Sequence, residues 1–402
     1  MKRRFDILVV GAGITGLTAA TLLARNGGDK DLQVTVVDAG QRPQDVAGGE
    51  LGLRVSAISA GSAQLLDSIG AWERLDNTRL CAYDHMRVWD ESDEPGGAAT
   101  LNFDAGEFAV PHLGYIVENE QLKIALLRTL SETDVEMRFD SRLQEIASRG
   151  NAHRVSFDNG VTLDADLIVA ADGANSHVRN IFDIDVSTHL YQQHALVTHL
   201  RPEMPHRETA WQRFLRDGPI GLLPLADGRV SIVWSTTPDD AEHAKNCSDE
   251  ELGQLLTDVS GRVLGELVVA GPRGVFPLAA RHAERYVDKG VALLGDAAHT
   301  VHPLAGQGAN LGIADADEIS RVVREAVDKH EYPGDRPVLR RYERARKGEN
   351  AAMMHFMTGL NRLFASDSVV LEELRKAGMA LFNRSGLIRR RVVGVALGRN
   401  QR

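Results

Sequence analysis

Phe5-Asp6-Ile7-Leu8-Val9-Val10-Gly11-Ala12-Gly13-Ile14-Thr15-Gly16 is the stretch that decides the fold. An apolar run stops at glycines spaced G-x-G-x-x-G, and Leu17 to Ala24 continues at helical spacing. A second run, Val34-Thr35-Val36-Val37, ends at Asp38, about 20 residues beyond the glycines. Strand, glycine turn, helix, strand and acid in that order form the βαβ unit that binds a dinucleotide. Gly11 makes the tight turn, with Ala12 inside it. Gly13 lets a pyrophosphate approach the backbone, Gly16 lets helix pack on strand, and Asp38 can hold a ribose hydroxyl pair. The unit alone does not separate FAD from NAD.

Two further strand ends have the same texture. Ala165-Asp166-Leu167-Ile168-Val169-Ala170-Ala171 runs into Asp172-Gly173, and Val291-Ala292-Leu293-Leu294 runs into Gly295-Asp296. The second is followed by His302-Pro303-Leu304-Ala305-Gly306-Gln307-Gly308-Ala309-Asn310-Leu311-Gly312, and Leu311 to Val327 is spaced as a helix. A glycine-rich turn opening a helix presents free backbone N–H groups to negative charge. Three strand ends, at Gly11, Asp172 and Asp296, are expected to converge on one extended ligand.

Between these motifs lies a different kind of sequence. From Ile184 to about Pro277, Ala195–Thr198, Ala210–Phe214, Gly221–Leu225 and Val230–Trp234 are strand candidates at regular spacing, which predicts an antiparallel sheet. Ser248-Asp249-Glu250-Glu251 predicts a capped helix start, and Asp158-Asn159-Gly160 a hairpin turn. Gly114 to Leu122 is expected to open a helix with apolar positions at Leu122, Ala125, Leu126 and Leu130. Beyond Asp335 the chain is mostly helical, with Met353, Met357, Leu360 and Phe364 on one face.

The composition bounds the function. A chain of 402 residues supports two domains, and 43% hydrophobic with 25% charged residues is ordinary for a globular protein. A formal charge of -10 argues against nucleic acid as a partner. Cys81 and Cys247 are too few for a disulfide framework, which suits a reducing cytoplasm. No apolar run reaches the roughly 18 residues of a spanning helix. Lys2-Arg3-Arg4 leads straight into the first strand, so no cleavable signal peptide is expected. His299 and His302 lack acidic or cysteine company, and no metal site is expected. From Leu374 to Arg402 there are eight basic residues and no acid, with Leu387, Ile388, Val392, Val393 and Leu397 interspersed. That end is either a membrane-surface or partner-docking element, or the solvated face of a core-packed helix.

Gly295-Asp296 with His302 to Asp315 resembles the signature of the ubiquinone-biosynthesis flavin hydroxylases, within the aromatic-ring monooxygenases of the p-hydroxybenzoate hydroxylase type. Arg54-Val55-Ser56-Ala57-Ile58-Ser59, Val117-Glu118-Asn119, Asp172-Gly173 and Gly359 to Phe364 are similar to the same family, so the likeness covers nearly the whole chain. The resemblance implies a Rossmann-like FAD-binding domain in three pieces, residues 1–82, 112–183 and 279–340. It implies a substrate domain, 83–111 and 184–278, inserted as a mostly antiparallel sheet, and a C-terminal helical region, 341–402.

It also implies FAD as cofactor, held by Gly11, Ala12, Gly13, Gly16, Asp38, Arg54, Gln121, Asp172, Asp296, Pro303, Gly306, Gln307, Gly308, Ala309 and Asn310. Many relatives carry Glu where Asp38 stands, so the ribose contact differs in reach. NAD(P)H is implied as a transient reductant, since no second dinucleotide fingerprint is present, and O₂ as co-substrate. The substrate implied is a polyprenylated phenol, hydroxylated on its ring in ubiquinone synthesis. Tyr191 to Val197 and Val233-Trp234-Ser235 lean toward the C5 position, whereas Trp211 to Phe214 with Asp217-Gly218-Pro219 lean toward C6. No catalytic side chain is assigned beyond the flavin. A cytoplasmic enzyme, with other ubiquinone-biosynthesis proteins as partners and peripheral contact with the inner face of the membrane, is the expectation. A hydroxylase of another hydrophobic aromatic and a non-catalytic flavin scaffold are the alternatives.

Overall fold

A computed structural model describes residues 4–25, 31–43, 51–97, 99–302, 306–365 and 369–398. One sheet has six strands in the order Val287–Asp288, Val291–Leu293, Leu167–Ala170, Phe5–Val10, Leu32–Val37, Glu136–Arg138. Its neighbours run parallel except for the short hairpin at the Val287 edge. Ile7, Val9, Leu167, Ile168, Val169 and Leu293 are all buried, as parallel strands covered on both faces must be. The Ile14–Arg25 helix packs against the Asn119–Leu130 and Gln307–Asp328 helices on this sheet.

The chain leaves that sheet after Ala170 and rejoins it at Val287, and a nine-stranded sheet is built mainly from the residues between. Val186–Pro202 is its long central strand, flanked by Val230–Thr236 and Gly274–Ala283. The pairings are antiparallel except where His85–Asp90 runs parallel to Thr209–Phe214. Thus α/β layers with an inserted, mostly antiparallel sheet are the architecture. Gly274–Ala283 continues past 278, where a domain boundary was expected, and His299–Thr300 from the second glycine motif joins the sheet edge. The Arg336–Phe364 helix likewise runs through 340.

The expected helix opening at Gly114 is corrected. Gly114–Glu118 is a strand, pairing with Val55–Ser59 on one side and Cys81–Tyr83 on the other, and the helix begins at Asn119. Two waiting strand partners override the local pattern there. Leu122, Ala125, Leu126 and Leu130 are buried as expected. The Asp158-Asn159-Gly160 hairpin forms with Gly160 at φ +79°. Glu251 N–H donates to Ser248 Oγ at 3.1 Å, capping the Asp249–Val259 helix. Met353, Met357, Leu360 and Phe364 pack on Val88 and Phe214 of the large sheet, with the Phe214 and Phe364 rings stacked 4.0 Å apart. Val369–Arg384 and Gly386–Ala396 complete the helical end.

Candidate functional site

Register places three of the motif strands side by side. Val10 lies opposite Ala170, and Ala170 opposite Leu293, so the turns that follow, at Gly11, Asp172 and Gly295, open at one edge of the sheet. The glycines of the first turn differ in why they are required. Gly11 has φ +106°, and a Cβ there would lie 2.3 Å from Ala171 O. A Cβ on Gly16 would lie 2.0 Å from Gly11 O. These two are demanded by the protein's own packing. Gly13 is not: a Cβ there meets nothing within 4 Å. Its backbone borders open space, as expected of a residue kept bare for a ligand. Asp38 binds the turn directly, with Ala12 N–H donating to Oδ2 at 2.6 Å and Gly40 N–H to Oδ1 at 2.7 Å. It therefore locks the glycine turn to the end of the second strand.

At the second strand end, Asp172 Oδ2 accepts from the N–H groups of His177 at 2.8 Å and Val178 at 3.1 Å. Its Oδ1 is buried and has no hydrogen-bond partner among the described residues. Buried Arg179, which the sequence did not mark as a site residue, donates to Ala174 O and Ala297 O, both at 3.0 Å, and so ties this turn to the Gly295-Asp296-Ala297 turn. Burial holds its guanidinium below its ordinary pKa. Asp296 is accessible from the open edge yet surrounded by protein, and desolvation raises its carboxyl, against the pull of His299, Arg54 and Arg281. Arg54 is exposed, sits 5.9 Å from the Phe276 ring centroid, and reaches the same edge as Asp296. The two glycine motifs interlock at Thr15, whose Oγ1 would be 2.9 Å from a Cβ on Gly295 and 2.2 Å from one on Gly312.

The helix Gln307–Asp328 starts after Gly306, at φ +63°, a cap residue with no side chain to satisfy its first N–H groups. Gly308 is exposed and has open space where a Cβ would be. Ala309 packs on the core. Asn310 is committed to the protein: its amide donates to Ala57 O at 2.8 Å and its Oδ1 accepts from Ser59 N–H at 2.9 Å. It fastens the helix start to the Val55–Ser59 strand. Gln121 donates to Glu118 Oε1 at 3.0 Å, and Glu118 also forms a bidentate pair with Arg79 at 2.7 Å. Pro303 lies outside the described residues, as does the Gln307 side chain.

Behind this edge is a buried polar knot. Asp315 Oδ2 accepts from Gly295 N–H at 3.0 Å and contacts His299 Nε2 at 2.5 Å. Its Oδ1 accepts from Arg346 Nε at 2.8 Å and Asn350 Nδ2 at 3.1 Å. Burial alone would push the Asp315 carboxyl up, but His299 and Arg346 bring it down to about 2. His299 is thus held by a carboxylate, and no metal-binding group of three or more His, Cys, Asp or Glu stands among the described residues. A second cluster anchors the approach to Gly306. In the long central strand the pairing register slips between Leu190 and His194, with Gln192 at φ +54°. Gln193 Oε1 then meets His302 Nε2 at 3.3 Å and Asn361 Nδ2 at 3.1 Å. Burial pushes the His302 pKa down to about 4.

A cavity of about 130 Å³ adjoins Gly306. Its walls come from the three-stranded sheet (Val55, Ala57, Tyr83) and from the large sheet (Met86, Trp211, Gly221). The lining is mostly apolar, with Gln212 and Ser235 as polar points. Burial raises the Tyr83 phenol to about 12. This is room for a ring-sized apolar ligand at the start of the Gln307–Asp328 helix. The residues present fit an extended dinucleotide: a bare backbone at Gly13 and Gly308, an unpartnered carboxylate oxygen on Asp172, an uncapped helix start, and Asp296 at the same edge.

Comparison with known proteins agrees. A family model described as "FAD binding domain" matches residues 4–356. The 3-demethoxyubiquinol 3-hydroxylase of Escherichia coli (strain K12) is 34% identical over 396 residues, covering 98% of both chains. The mitochondrial ubiquinone biosynthesis monooxygenase COQ6 of Homo sapiens is 32% identical over 437 residues, covering 98% of this chain and 92% of that one. Among solved structures, p-nitrophenol 4-monooxygenase PnpA of Pseudomonas putida DLL-E4 superposes with a TM-score of 0.77 at 18% identity, covering 98% of this chain and 97% of that chain.

Proposed function

Because the chain belongs to the FAD binding domain family, as one of its ubiquinone-biosynthesis hydroxylases, we propose that it hydroxylates the aromatic ring of a polyprenylated phenol with NAD(P)H and O₂. One observation carries this reading: an apolar cavity lies at Gly306, where the helix that packs against the Gly295–Ala297 turn begins. When bound and reduced, FAD supplies the activation of O₂, which side chains cannot do.

The chain's own residues would do the rest. The Gly11 to Gly16 turn would take the pyrophosphate and Asp296 the ribityl chain. The backbone N–H groups at Gly306, Gln307 and Gly308 would face negative charge on the cofactor, at the positive end of a helix. Arg54 adds positive charge at the same edge. Val55, Met86 and Trp211 would hold the ring and keep water out. A β-branched residue in place of Gly308 is expected to lower flavin content or divert turnover to H₂O₂. Normal coupling with full flavin would count against the assignment.

The C5 position is favoured by Tyr191 to Val197 and Val233 to Ser235. A second reading comes from the relative named a 3-demethoxyubiquinol 3-hydroxylase, whose name gives demethoxyubiquinol as the acceptor. The enzyme would work in the cytoplasm beside other proteins of the pathway. Mass spectrometry of quinone extracts after deletion of the gene separates the readings. An accumulated polyprenylphenol lacking the C5 hydroxyl supports C5, and an accumulated demethoxyubiquinone supports the second. An unchanged profile would contradict both.

A further inference from the structure

The last three helices present an outer surface unlike the rest of the molecule. Their inner faces are committed. Arg375 pairs with buried Asp90 at 3.3 Å, and Arg389 pairs with Glu107 at 2.8 Å. Val393 and Leu397 are buried against Ala105, Phe108 and Leu113, and Gly61 N–H donates to Leu397 O at 2.9 Å. The helical end is therefore fixed to the body and its outer face has a defined direction. That face is apolar: Phe356, Leu363, Leu374, Leu381, Val392 and Val395 are between 38% and 70% exposed. On the Val369–Arg384 helix, Leu374, Ala377, Gly378 and Leu381 are all exposed at spacings of three and four, forming one uncovered stripe.

Exposed arginines stand on the same three helices. Arg362, Arg384, Arg390 and Arg391 are exposed. Three acids with described side chains there are paired, Glu373 with Lys376 at 3.6 Å, Glu107 with Arg389, and Glu349 with Arg346. No acid occurs between Leu374 and Arg402, in a chain whose formal charge is -10. We propose that this face docks the enzyme on an anionic lipid surface, with the leucines and valines entering the acyl boundary and the arginines meeting headgroup phosphates. The sign of the charge selects the partner: a chain of formal charge -10 is repelled as a whole by such a surface, and the exposed arginines of this face are drawn to it. No helix among the described residues is long and apolar enough to cross a membrane, so the contact is peripheral. The proposal stands whichever ring the enzyme hydroxylates.

The test is co-sedimentation of the full-length, FAD-loaded protein with vesicles of phosphatidylcholine alone and of phosphatidylcholine mixed with phosphatidylglycerol. Binding is expected to the mixed vesicles, falling with added salt. The variant R384Q/R390Q/R391Q should bind them roughly a hundredfold less well, since each cation near a charged membrane contributes about a fivefold factor. L374S/L381S should bind less well at every salt concentration. All of these side chains lie outside the flavin site, and retained flavin absorbance shows that the variants fold. Equal affinity for both vesicle types, or an arginine variant that binds like the parent, would overturn the proposal. So would self-association abolished by L374S/L381S without vesicle binding, since the face would then join copies of the chain.

Discussion

Replacing Gly13 or Gly16 by alanine is the same chemical change three residues apart, and the structure predicts opposite outcomes. At Gly16 the new methyl would stand 2.0 Å from the Gly11 carbonyl oxygen and 3.2 Å from Ala171 Cβ. Backbone must move, at a cost of about 1–3 kcal/mol even without cofactor. At Gly13 the methyl meets nothing within 4 Å, and no positive φ is required of the residue. Loss of unfolded-chain freedom should then stabilise the apoprotein by about 0.4–1 kcal/mol. The same methyl would intrude on a bound pyrophosphate. Overpacking of about 1–3 kcal/mol there weakens FAD binding by roughly 5- to 150-fold. Urea denaturation of the flavin-free protein gives the first quantity, and quenching of FAD fluorescence on titration gives the second. The reasoning fails if Gly13→Ala destabilises the apoprotein as Gly16→Ala does, or if it binds FAD as tightly as the parent.

Three further outcomes follow from the site. Asp315→Asn removes the buried carboxylate at Arg346 Nε and leaves only the pair with exposed Glu349, so it should cost about 3 kcal/mol in urea denaturation, whereas a loss below 1 kcal/mol would show that the knot is slack. His302 is depressed to about 4 by burial, so the unfolded chain takes up its proton first as pH falls. Stability should therefore decline from about pH 6.5 toward pH 4, by up to about 3 kcal/mol from this group, and His302→Gln should flatten that slope. Gly221 lines the cavity, and a Cβ there has only ordinary contacts at 4.0 Å. Gly221→Val should keep its FAD but lose roughly 10- to 200-fold in kcat/KM for the ring substrate, and an unchanged kcat/KM would place the ring elsewhere.

The edge where the three strand ends converge is legible in the sequence because its demands are local. A tight turn, a helix start and a strand end each leave a mark on adjacent residues, which is why Gly11, Gly16, Asp172 and Asp296 stood out. Asn310 and Gln121 were legible as part of a motif but not in what they touch, since their partners, Ala57, Ser59 and Glu118, are set by the docking of separate elements. The cavity was not legible. Its walls come from two sheets whose meeting depends on the long-range parallel pairing of His85–Asp90 with Thr209–Phe214. The Asp315 knot left one unread signal: an acid at a fourfold step between Leu311 and Ile319, on the buried stripe of its helix. A carboxylate there needs cations from elsewhere, and Arg346 and Asn350, one turn apart on another helix, supply the match. The strand at Gly114 was misread because pairing partners distant in sequence outweighed its helical spacing.

The central claim is that bound FAD and the cavity at Gly306 form one centre for ring hydroxylation. It is tested most directly by turnover of the purified holoenzyme with a short-chain polyprenylphenol under ¹⁸O₂. The account predicts that the phenol stimulates NAD(P)H oxidation and that one ¹⁸O atom enters the ring, the other leaving as water. NAD(P)H oxidation indifferent to the phenol, or a product whose new hydroxyl carries oxygen from water, would contradict it.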